Sequence, residues 1–468
     1  MKEFIRFIKS SGIYFVGTVM TKLITFFLLP LYTAYISPAD YGMYDLYNVY
    51  ITFLTSVLFL DIWSGIMRFM FDYKNEEKKT PINSGFAIFC ISCCLYAVIL
   101  FFAAPILKLD YVFWLLLYGI LMNTQTLMGY IARGYGKNVL YTSAGIVSSL
   151  VTILFNILLL VVFKMNYSAL FIASVIGYVV NILIILIGIR EFHVFSIRSF
   201  DKKVFKDILI FSLPLCLNSV AYWFLTSYNR VVVVERLGVE ANGYYAIAAR
   251  FGSMITLFTT CFQMAWQELA YSKSAKEDNL GEFYSTAINN YIKCMGAGLL
   301  LLIPVIFVIY PLLIHESYTA GMELVPYYLL GTILSTISSF LGNTFSAIKK
   351  NRLLFWTMIC GSVCNVVVIN LLIDQIGLQA SNISLACGFF VLCLTRVLFL
   401  KHEIGLKVEI KSIVCMIIAF LGVSYIYLHG TVVMNIIAFV ICIVLMLYLF
   451  KDIVKMIFNV IKDKLRSA

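Results

Sequence analysis

The sequence predicts an all-α integral membrane protein with about fourteen transmembrane helices. Three observations support this fold class. Of the 468 residues, 62% are hydrophobic and only 13% are charged, which leaves too little polar surface to cover a soluble globule. Apolar runs of about 20 residues, the length that spans about 30 Å of hydrocarbon, recur along the whole chain. These runs are continuously apolar instead of alternating, which favours helices over strands.

The predicted spans follow one another with short connections. The start of the chain, MKEFIRFIKSSG, is basic but has no small-residue cleavage site after a short apolar core, so the first span is expected to be retained. Prolines inside a helix are expected to kink it, and those within the spans are Pro30, Pro214, Pro304 and Pro311. The spans cover residues 13–36, 43–66, 83–107, 111–132, 139–163, 168–189, 208–233, 243–266, 287–313, 325–347, 353–373, 378–399, 410–428 and 431–450.

The distribution of basic residues predicts the orientation in the membrane. With fourteen spans both termini lie on one side, and most of the 35 Lys and Arg residues lie in the termini and in the loops of that side. The opposite side carries Lys108, Lys164 and Arg236, with Arg230 near its edge. Because cytoplasmic loops carry the excess of positive charge, both termini are predicted to be cytoplasmic. The net charge of +11 is therefore mainly topological and does not indicate nucleic-acid binding.

The two halves of the chain repeat one design. The segment DYGMYDLYNVY at 40–50 corresponds to ANGYYAIAARF at 241–251. Each half holds six spans, an even number, so the repeats share one orientation, as in transporters built from two helix bundles. The aligned pairs are Gly42 with Gly243, Asn138 with Asn351, and Gly177 with Gly388.

We therefore predict two pseudo-symmetric six-helix bundles followed by two further helices. The last two spans have no counterpart in the first half and could form a wall or a lipid-facing groove. The predicted segments are an N-terminal lobe at 1–190, a cytoplasmic linker at 191–207, a C-terminal lobe at 208–401, two additional transmembrane helices at 408–452 and a basic cytoplasmic tail at 453–468.

Residue patterns that would indicate an enzyme are absent from the sequence. The twelve cysteines are scattered and form no CxxC pair, so no metal site is predicted. The four histidines are dispersed at span ends, near no carboxylate or nucleophile pattern, and the predicted outer loops are short. No GxxxxGK(S/T) motif occurs, which disfavours an ATP-driven pump. The sequence favours a transporter without a bound cofactor.

Four segments carry a resemblance to a known family. They are GTVMTKLITFFLLPLYTAYISPADYGMYDLYN, RFMFDY, LPLCLNSVAYWFLTSYNRVVVVERLGVEANGYYAIAARFG and FQMAWQELAYSK. They resemble the polysaccharide transporters, the Wzx-type oligosaccharide flippases, which share a MATE-like superfamily (MOP) with multidrug exporters and lipid II flippases. The resemblance covers nearly the whole chain and consists of a spacing of Gly, Pro, Tyr and Asn-Arg.

The resemblance implies a function in surface polysaccharide synthesis. It implies a multi-pass flippase of the bacterial inner membrane that moves polyprenyl-diphosphate-linked oligosaccharide from the cytoplasmic to the outer leaflet by alternating access, for O-antigen of lipopolysaccharide or for capsule. The implied partners are that lipid, the bilayer, and glycosyltransferases and a polymerase of the same pathway. A cationic cavity between the lobes is expected to receive the diphosphate.

Three basic residues within the spans are candidates for that cavity. Lys22 lies about 13 Å from the cytoplasmic edge of its span at about 1.5 Å per residue, and Arg250 and Arg230 lie in spans eight and seven. Intramembrane cations usually face a protein interior or a water-filled cavity, although long side chains can also reach the headgroups. We expect Lys22 and Arg250, and next to them Arg230, to bind an anionic ligand. Those at cytoplasmic helix ends, Arg68, Arg133 and Arg396, indicate topology.

Acidic and polar residues of the same spans complete the candidate site. The acids Asp45, Asp61 and Glu268 could pair with the cations or bind a coupling proton or sodium ion. Polar residues also join membrane helices and aromatic residues gather at interfaces, which is the alternative interpretation. The polar candidates for sugar hydroxyls are Asn48, Asn123, Gln125, Asn218, Tyr222, Ser227, Gln263 and Gln267, and the aromatic candidates are Tyr47, Tyr118, Trp223 and Trp266.

Other functions remain open at this point. A multidrug or small-cation exporter of the same fold would favour unpaired carboxylates in its cavity, whereas this sequence has more bases than acids there. A lipid II flippase would share the fold and a similar headgroup. A membrane glycan polymerase or ligase would need a larger outer loop. A structural scaffold would leave the buried charges unexplained.

Overall fold

The computed structural model describes residues 26–189, 199–274, 280–348 and 350–450. Within these ranges the chain is almost entirely helical and contains no strand. Ten of the described helices are long and apolar enough to cross a membrane, and a bent pair of helices adds an eleventh. The predicted all-helical membrane fold is confirmed.

Sixteen α-helices lie in the described part of the chain. Predicted spans two to fourteen each correspond to one of these helices or to one consecutive pair. The helices are α1 (Leu29–Tyr35), α2 (Pro38–Leu58), α3 (Ile62–Met70), α4 (Lys79–Leu107), α5 (Val112–Gly134), α6 (Asn138–Ile157), α7 (Ser168–Ile189), α8 (Lys202–Thr226), α9 (Tyr228–Leu237), α10 (Val239–Ser274), α11 (Leu280–Leu313), α12 (Val325–Ala347), α13 (Asn351–Ile376), α14 (Gln379–Ile404), α15 (Ile410–His429) and α16 (Val432–Leu449).

Local sequence signals fix the starts of two helices that matter for the site. Ser37 precedes α2 and its hydroxyl accepts a hydrogen bond from the N–H of Asp40 at 3.1 Å, while Pro38 occupies the first turn, where its missing N–H costs nothing. Asp201 precedes α8 and accepts from the N–H groups of Lys203 and Val204. Both helices are therefore capped by their own sequences.

The second predicted span is broken inside the apolar region. Leu60 and Asp61 adopt left-handed backbone conformations, with φ of 55° and 54°. The chain bends by 47° between α2 and α3 at this point. The sequence gives no Gly or Pro there, so the prediction of a continuous helix missed the break. The bend leaves Asp61 at the start of α3.

The chain forms two compact units. Unit 1 consists of Met1–Leu257 with Asn365–Ser381, and unit 2 consists of Phe258–Cys364 with Asn382–Ala468. In unit 1, α3 packs against α4, α5 and α8, and α7 packs against α5 and α6. In unit 2, α11 packs against α12, α15 and α16. The boundaries of the five predicted segments stay predictions.

Equivalent contacts occur in the two sequence repeats. Asn138 begins α6 and Asn351 begins α13. In unit 1, Ser148 of α6 donates to the carbonyl oxygen of Gly177 of α7 at 2.7 Å. In unit 2, a Cβ placed on Gly361 of α13 would lie 2.8 Å from the carbonyl oxygen of Gly388 of α14. Gly361 follows Asn351 at the same interval as Ser148 follows Asn138, so each repeat packs this helix pair in the same way.

The two additional helices and one buried arginine are features of unit 2. Helix α15 lines an apolar cavity of about 350 Å³ together with α11, α12 and α14. Arg396 of α14 is 4% exposed and donates to the carbonyl oxygen of Ser338 and, at 3.3 Å, to the hydroxyl of Thr357. Arg396, which the sequence predicts only to indicate topology, therefore joins three helices of the unit.

Candidate functional site

Arg250 of α10 meets a tyrosine of α2. Its Nε donates to the hydroxyl of Tyr41 at 2.9 Å, and its guanidinium lies 5.9 Å from the centre of that ring. Tyr41 is fully buried. Among the described side chains, no carboxylate lies within ion-pair distance of Arg250. Because a guanidinium carries five N–H donors, most of them stay available to a ligand.

Asp45 of α2 pairs with Arg230 of α9. The Nε of Arg230 lies 2.8 Å from Oδ2 of Asp45, and the two side chains are 13% and 18% exposed. Arg230 also donates to the carbonyl oxygen of Thr226 at 3.0 Å and lies 5.3 Å from the ring centre of Tyr245. The amide of Asn242 lies 3.3 Å from the same carboxylate oxygen. The pair is thus held by side chains from α2, α9 and α10 and by a backbone carbonyl oxygen of α8.

The charges of this region do not cancel. Asp45, Arg230 and Arg250 sum to one positive charge, and Asp45 is already matched by Arg230. Arg250 lies about 16 Å along α10 from Val239, at about 1.5 Å per residue. A single cation at this depth is expected to face a protein interior or water, not lipid.

Two predicted sugar-binding amides join α2 to α5 instead of facing a pocket. Asn48 accepts from the hydroxyl of Tyr118 at 2.6 Å and donates to the carbonyl oxygen of Tyr44 at 2.8 Å. Asn123 is 1% exposed, and its amide donates to the hydroxyl of Thr55 at 3.1 Å. These bonds use the amides inside unit 1, as polar residues between membrane helices commonly do.

Asp61 occupies the break between α2 and α3. Its Oδ1 accepts from the hydroxyl of Ser64 at 3.1 Å, and the side chain is half-buried. No described Lys or Arg lies within ion-pair distance of it. The thiol of Cys216 of α8 lies within electrostatic range of Asp61 and donates to the carbonyl oxygen of Ser56 at 3.2 Å. Asp61 is therefore a carboxylate at a helix break without a described counter-charge.

A polar pocket lies between α2 and α8 and is called the seam pocket below. Its volume is about 370 Å³. It brings together four of the predicted sugar-binding candidates, Asn218, Tyr222, Trp223 and Ser227, with hydroxyl groups that the sequence did not single out. Its lining residues are Thr52, Ser56, Asn218, Ser219, Tyr222, Trp223, Thr226 and Ser227.

Not every predicted site residue is described in this region. Lys22 and the side chains of Gln263, Gln267 and Glu268 lie outside the described part of the structure. Gln125 is half-buried on α5, two residues after Asn123 and hence on another face of the helix. Their predicted roles stay predictions.

Two of the aromatic candidates have internal roles. Tyr47 accepts from the N–H of Asp110 at 3.0 Å. Trp266 is 5% exposed, and its ring stacks on Phe340 of unit 2 at 4.5 Å. Neither ring presents a free face for a sugar in this structure.

The site residues that were not predicted from the sequence are uncharged. Tyr41 holds Arg250, and Asn242 supports Asp45. Thr52 and Ser56 lie one turn apart on α2, and this i, i+4 spacing of hydroxyls in an apolar run is a signal that could have indicated the polar side of α2.

Comparisons with solved structures show the same fold. The lipid II flippase MurJ, in an inward closed conformation, aligns with 16% identity over 94% of this chain and 99% of its own, with a TM-score of 0.70. An inward-facing multidrug resistance MATE family transporter of the MOP superfamily aligns with 15% identity over 83% of this chain and 94% of its own, with a TM-score of 0.67. A MOP superfamily transporter from Pyrococcus furiosus aligns with 16% identity over 85% and 95%, with a TM-score of 0.59.

Comparisons of sequence point to polysaccharide synthesis. Protein 1 of the Lsg locus of Haemophilus influenzae is 30% identical over 104 residues, a match that spans about a quarter (26%) of that relative's length and 20% of this chain. Residues 7–266 match the family described as polysaccharide biosynthesis protein. This match supports the predicted transporter of lipid-linked oligosaccharide over an enzyme. Because it covers more than half of the chain, the protein belongs to the family of polysaccharide biosynthesis proteins.

Proposed function

We propose that this protein moves polyprenyl-diphosphate-linked oligosaccharide from the cytoplasmic to the outer leaflet of the bacterial inner membrane by alternating access. The family description supports a glycan as part of the cargo. The observation that carries the proposal is Arg250, an intramembrane guanidinium that the hydroxyl of Tyr41 holds and that pairs with none of the described carboxylates. The polymer that receives the glycan is O-antigen or capsule.

A diphosphate suits this guanidinium. A diphosphate that leaves water must exchange its hydration for charge-assisted hydrogen bonds, and the planar fork of an arginine matches phosphate oxygens. Arg250 supplies such donors at a depth where the neighbouring Asp45 is already neutralised by Arg230. Lys22 is proposed as a second cation for the same headgroup. The polyprenyl tail stays in lipid throughout.

The membrane potential favours the outward step. Moving one negative charge outward across about 100 mV, inside negative, is favourable by about 2.3 kcal/mol. An emptied cationic site would be drawn back inward by the same field. If a proton or a sodium ion is also coupled, Asp61 is the described carboxylate that can take it, because Asp45 is paired with Arg230.

The alternative exporter of cationic drugs is disfavoured by the same charges. Such a protein needs a carboxylate at its cargo site that is free to bind a cation, whereas Asp45, the carboxylate that interacts electrostatically with Arg250, is held by Arg230 at 2.8 Å. Asp61, which has no described counter-charge, lies 16 residues further along the chain, at the break between α2 and α3. Lipid II transport differs from the proposal in the group that is attached to the polyprenyl diphosphate.

Deletion of the gene followed by mass analysis of polyprenyl-linked lipids tests the proposal. We expect a polyprenyl-diphosphate oligosaccharide other than lipid II to accumulate, and re-expression of the wild-type protein to remove it. The variant Arg236→Ala serves as a matched control, since Arg236 is 49% exposed and pairs with Asp374 at the surface. An unchanged lipid pool, or accumulation of lipid II alone, would contradict the proposed cargo.

A further inference from the structure

We infer that the seam pocket between α2 and α8 binds an uncharged sugar ring of the transported glycan. The inference rests on the proposed function and adds the class of sugar and the residues that recognise it. A volume of about 370 Å³ lies within the range of small-molecule sites. Arg250 and the seam pocket would then bind two different parts of one cargo.

The described residues that line the seam pocket have hydrogen-bonding groups and include no charged side chain. A diphosphate or an acidic sugar would have to give up its hydration without gaining a cation there. A neutral sugar needs donors and acceptors for its hydroxyl groups, and hydroxyl and amide side chains supply both. The chemistry of the pocket therefore selects an uncharged polyhydroxyl ring.

Three hydroxyl groups of the pocket are placed to accept hydrogen bonds from a ligand. Thr52 donates to the carbonyl oxygen of Val49, and Ser56 donates to that of Thr52, each at 2.9 Å. Thr226 donates to the carbonyl oxygen of Tyr222 at 2.9 Å. Each hydroxyl thus donates its hydrogen bond within its own helix, and the lone pairs of its oxygen remain free to accept another. Sugar hydroxyl groups can donate to these oxygens.

Asn218 and Ser219 provide the complementary donors. Neither side chain forms a hydrogen bond to another described residue. A polar group without a partner inside a membrane protein is costly, so a partner that arrives with the ligand would remove that cost. The amide of Asn218 can donate and accept at once, as recognition of adjacent sugar hydroxyls requires.

The polar lining is not needed to hold α2 and α8 together. The hydrogen bonds that cross this seam are those of Trp223, whose Nε1 donates to the carbonyl oxygen of Val49 at 3.1 Å, and of the Cys216 thiol to Ser56. Trp223 also packs on Phe53, with ring centres 4.6 Å apart. Asn218 and Ser219 take part in neither contact and are therefore available to a ligand.

An exposed aromatic ring completes the pocket. Tyr222 is 46% exposed and is one of the lining residues. The face of an aromatic ring carries partial negative charge and attracts the C–H groups of a sugar face. Tyr222 can therefore pack against the ring whose hydroxyl groups Asn218 and Ser219 bind.

Equilibrium binding of a phosphate-free glycan tests the inference. The probe is the oligosaccharide released from the lipid that accumulates in cells lacking the gene, titrated into the purified protein and followed by calorimetry. We expect wild type and Arg250→Ala to bind it alike, and Asn218→Leu to bind at least about tenfold more weakly, since two or more hydrogen bonds are lost. Asn218→Ser, which replaces the amide by a single hydroxyl, should lie between them.

Ser212→Ala is the matched control, because Ser212 lies on the same helix, is fully buried and lies outside the pocket lining. We expect Ser212→Ala to bind as wild type does and Ser219→Ala to bind more weakly. Equal binding by Asn218→Leu and wild type, loss of binding in Arg250→Ala, or no binding by wild type would overturn the inference. Failure of the wild type to move the intact lipid would instead overturn the proposed function.

Discussion

Gly42 of α2 packs against the backbone of α10, and Gly243 of α10 packs against the backbone of α2. A Cβ on Gly42 would stand 2.0 Å from the carbonyl oxygen of Val239, and a Cβ on Gly243 would stand 2.0 Å from that of Pro38. Val239 precedes Gly243 at the same interval as Pro38 precedes Gly42, so the two contacts are equivalent under the sequence repeat. The second helices of the two repeats meet where only glycine fits.

Substitution at this crossing should separate the helices. We expect Gly42→Ala and Gly243→Ala each to destabilise the protein by about 1–3 kcal/mol, because a side chain is forced against backbone that cannot move aside. Thermal unfolding in detergent measures this. Gly145→Ala is the control, since nothing lies within 4 Å of a Cβ there. Equal melting temperatures for all three variants would show that the crossing is not tightly packed.

The ion pair of Asp45 and Arg230, beside this crossing, should stabilise the protein more than a surface ion pair does. Removing one partner of a buried pair costs about 3–5 kcal/mol, and the partial exposure of Asp45 and Arg230 makes that an upper limit. We expect Asp45→Asn to melt well below wild type. The double variant Asp45→Asn with Arg230→Gln should recover part of the loss, which a double-mutant cycle measures.

The exposed pair Arg236 and Asp374, at 3.5 Å, provides the reference for that cycle. Exposed pairs contribute about 0–1 kcal/mol. A coupling energy for Asp45 and Arg230 as small as that of the reference pair would contradict the structural role assigned to them.

Asp61 should affect ion coupling and not cargo binding. If a proton or sodium gradient contributes to transport, Asp61→Asn should abolish the gain from an imposed ion gradient in proteoliposomes and leave transport driven by membrane potential unchanged. The control is Asp72→Asn, because Asp72 is exposed and pairs with Arg68. A full response of Asp61→Asn to the gradient would exclude this residue as the coupling site.

The connection before α15 should be sensitive to acid. Lys293 lies 2.7 Å from Oε2 of Glu409, and its hydrogen bond, followed by that of Ser412, holds the pKa of the Glu409 carboxyl below its usual range. A lowered folded-state pKa stabilises the fold above the unfolded-state value of about 4.5, and this contribution is lost as the pH falls below that value.

We therefore expect Glu409→Gln to lower the melting temperature slightly at pH 7 and to make no difference near pH 3, because a half-exposed pair contributes about 0–1 kcal/mol. Lys293→Gln should give the same small loss, and combining the two should add nothing. Additive losses at pH 7 would mean that the two side chains do not interact in solution.

Most of the fold follows from apolarity alone, which is why predicted spans two to fourteen correspond to described helices. A helix such as α4 or α7 is set by a run of residues that cannot face water, and the repeat is set by small residues such as Gly177 at helix contacts. The break at Leu60 and Asp61 could not be predicted in this way. Left-handed backbone at such residues exists only where the surrounding packing enforces it.

The sequence predicted the charged residues of the site but not the residues that contact them. Arg250 and Arg230 stand out because cations are rare in apolar runs. Their partners were not evident, since Tyr41 is one of 30 tyrosines and the approach of α2 to α10 depends on tertiary packing. Asn48 and Asn123 look like Asn218 in the sequence, yet their hydrogen bonds join α2 to α5, whereas Asn218 lines the seam pocket.

The central claim is that Arg250 binds the diphosphate of the cargo. Its most direct measurement is the rate at which purified protein in proteoliposomes moves the extracted lipid-linked oligosaccharide, for wild type, Arg250→Ala, Arg250→Lys and the control Arg236→Ala. We predict that Arg250→Ala is slower by at least about tenfold, as the loss of a charge-assisted contact requires, that Arg250→Lys keeps part of the rate, and that Arg236→Ala matches wild type. Equal rates for Arg250→Ala and wild type would contradict the claim.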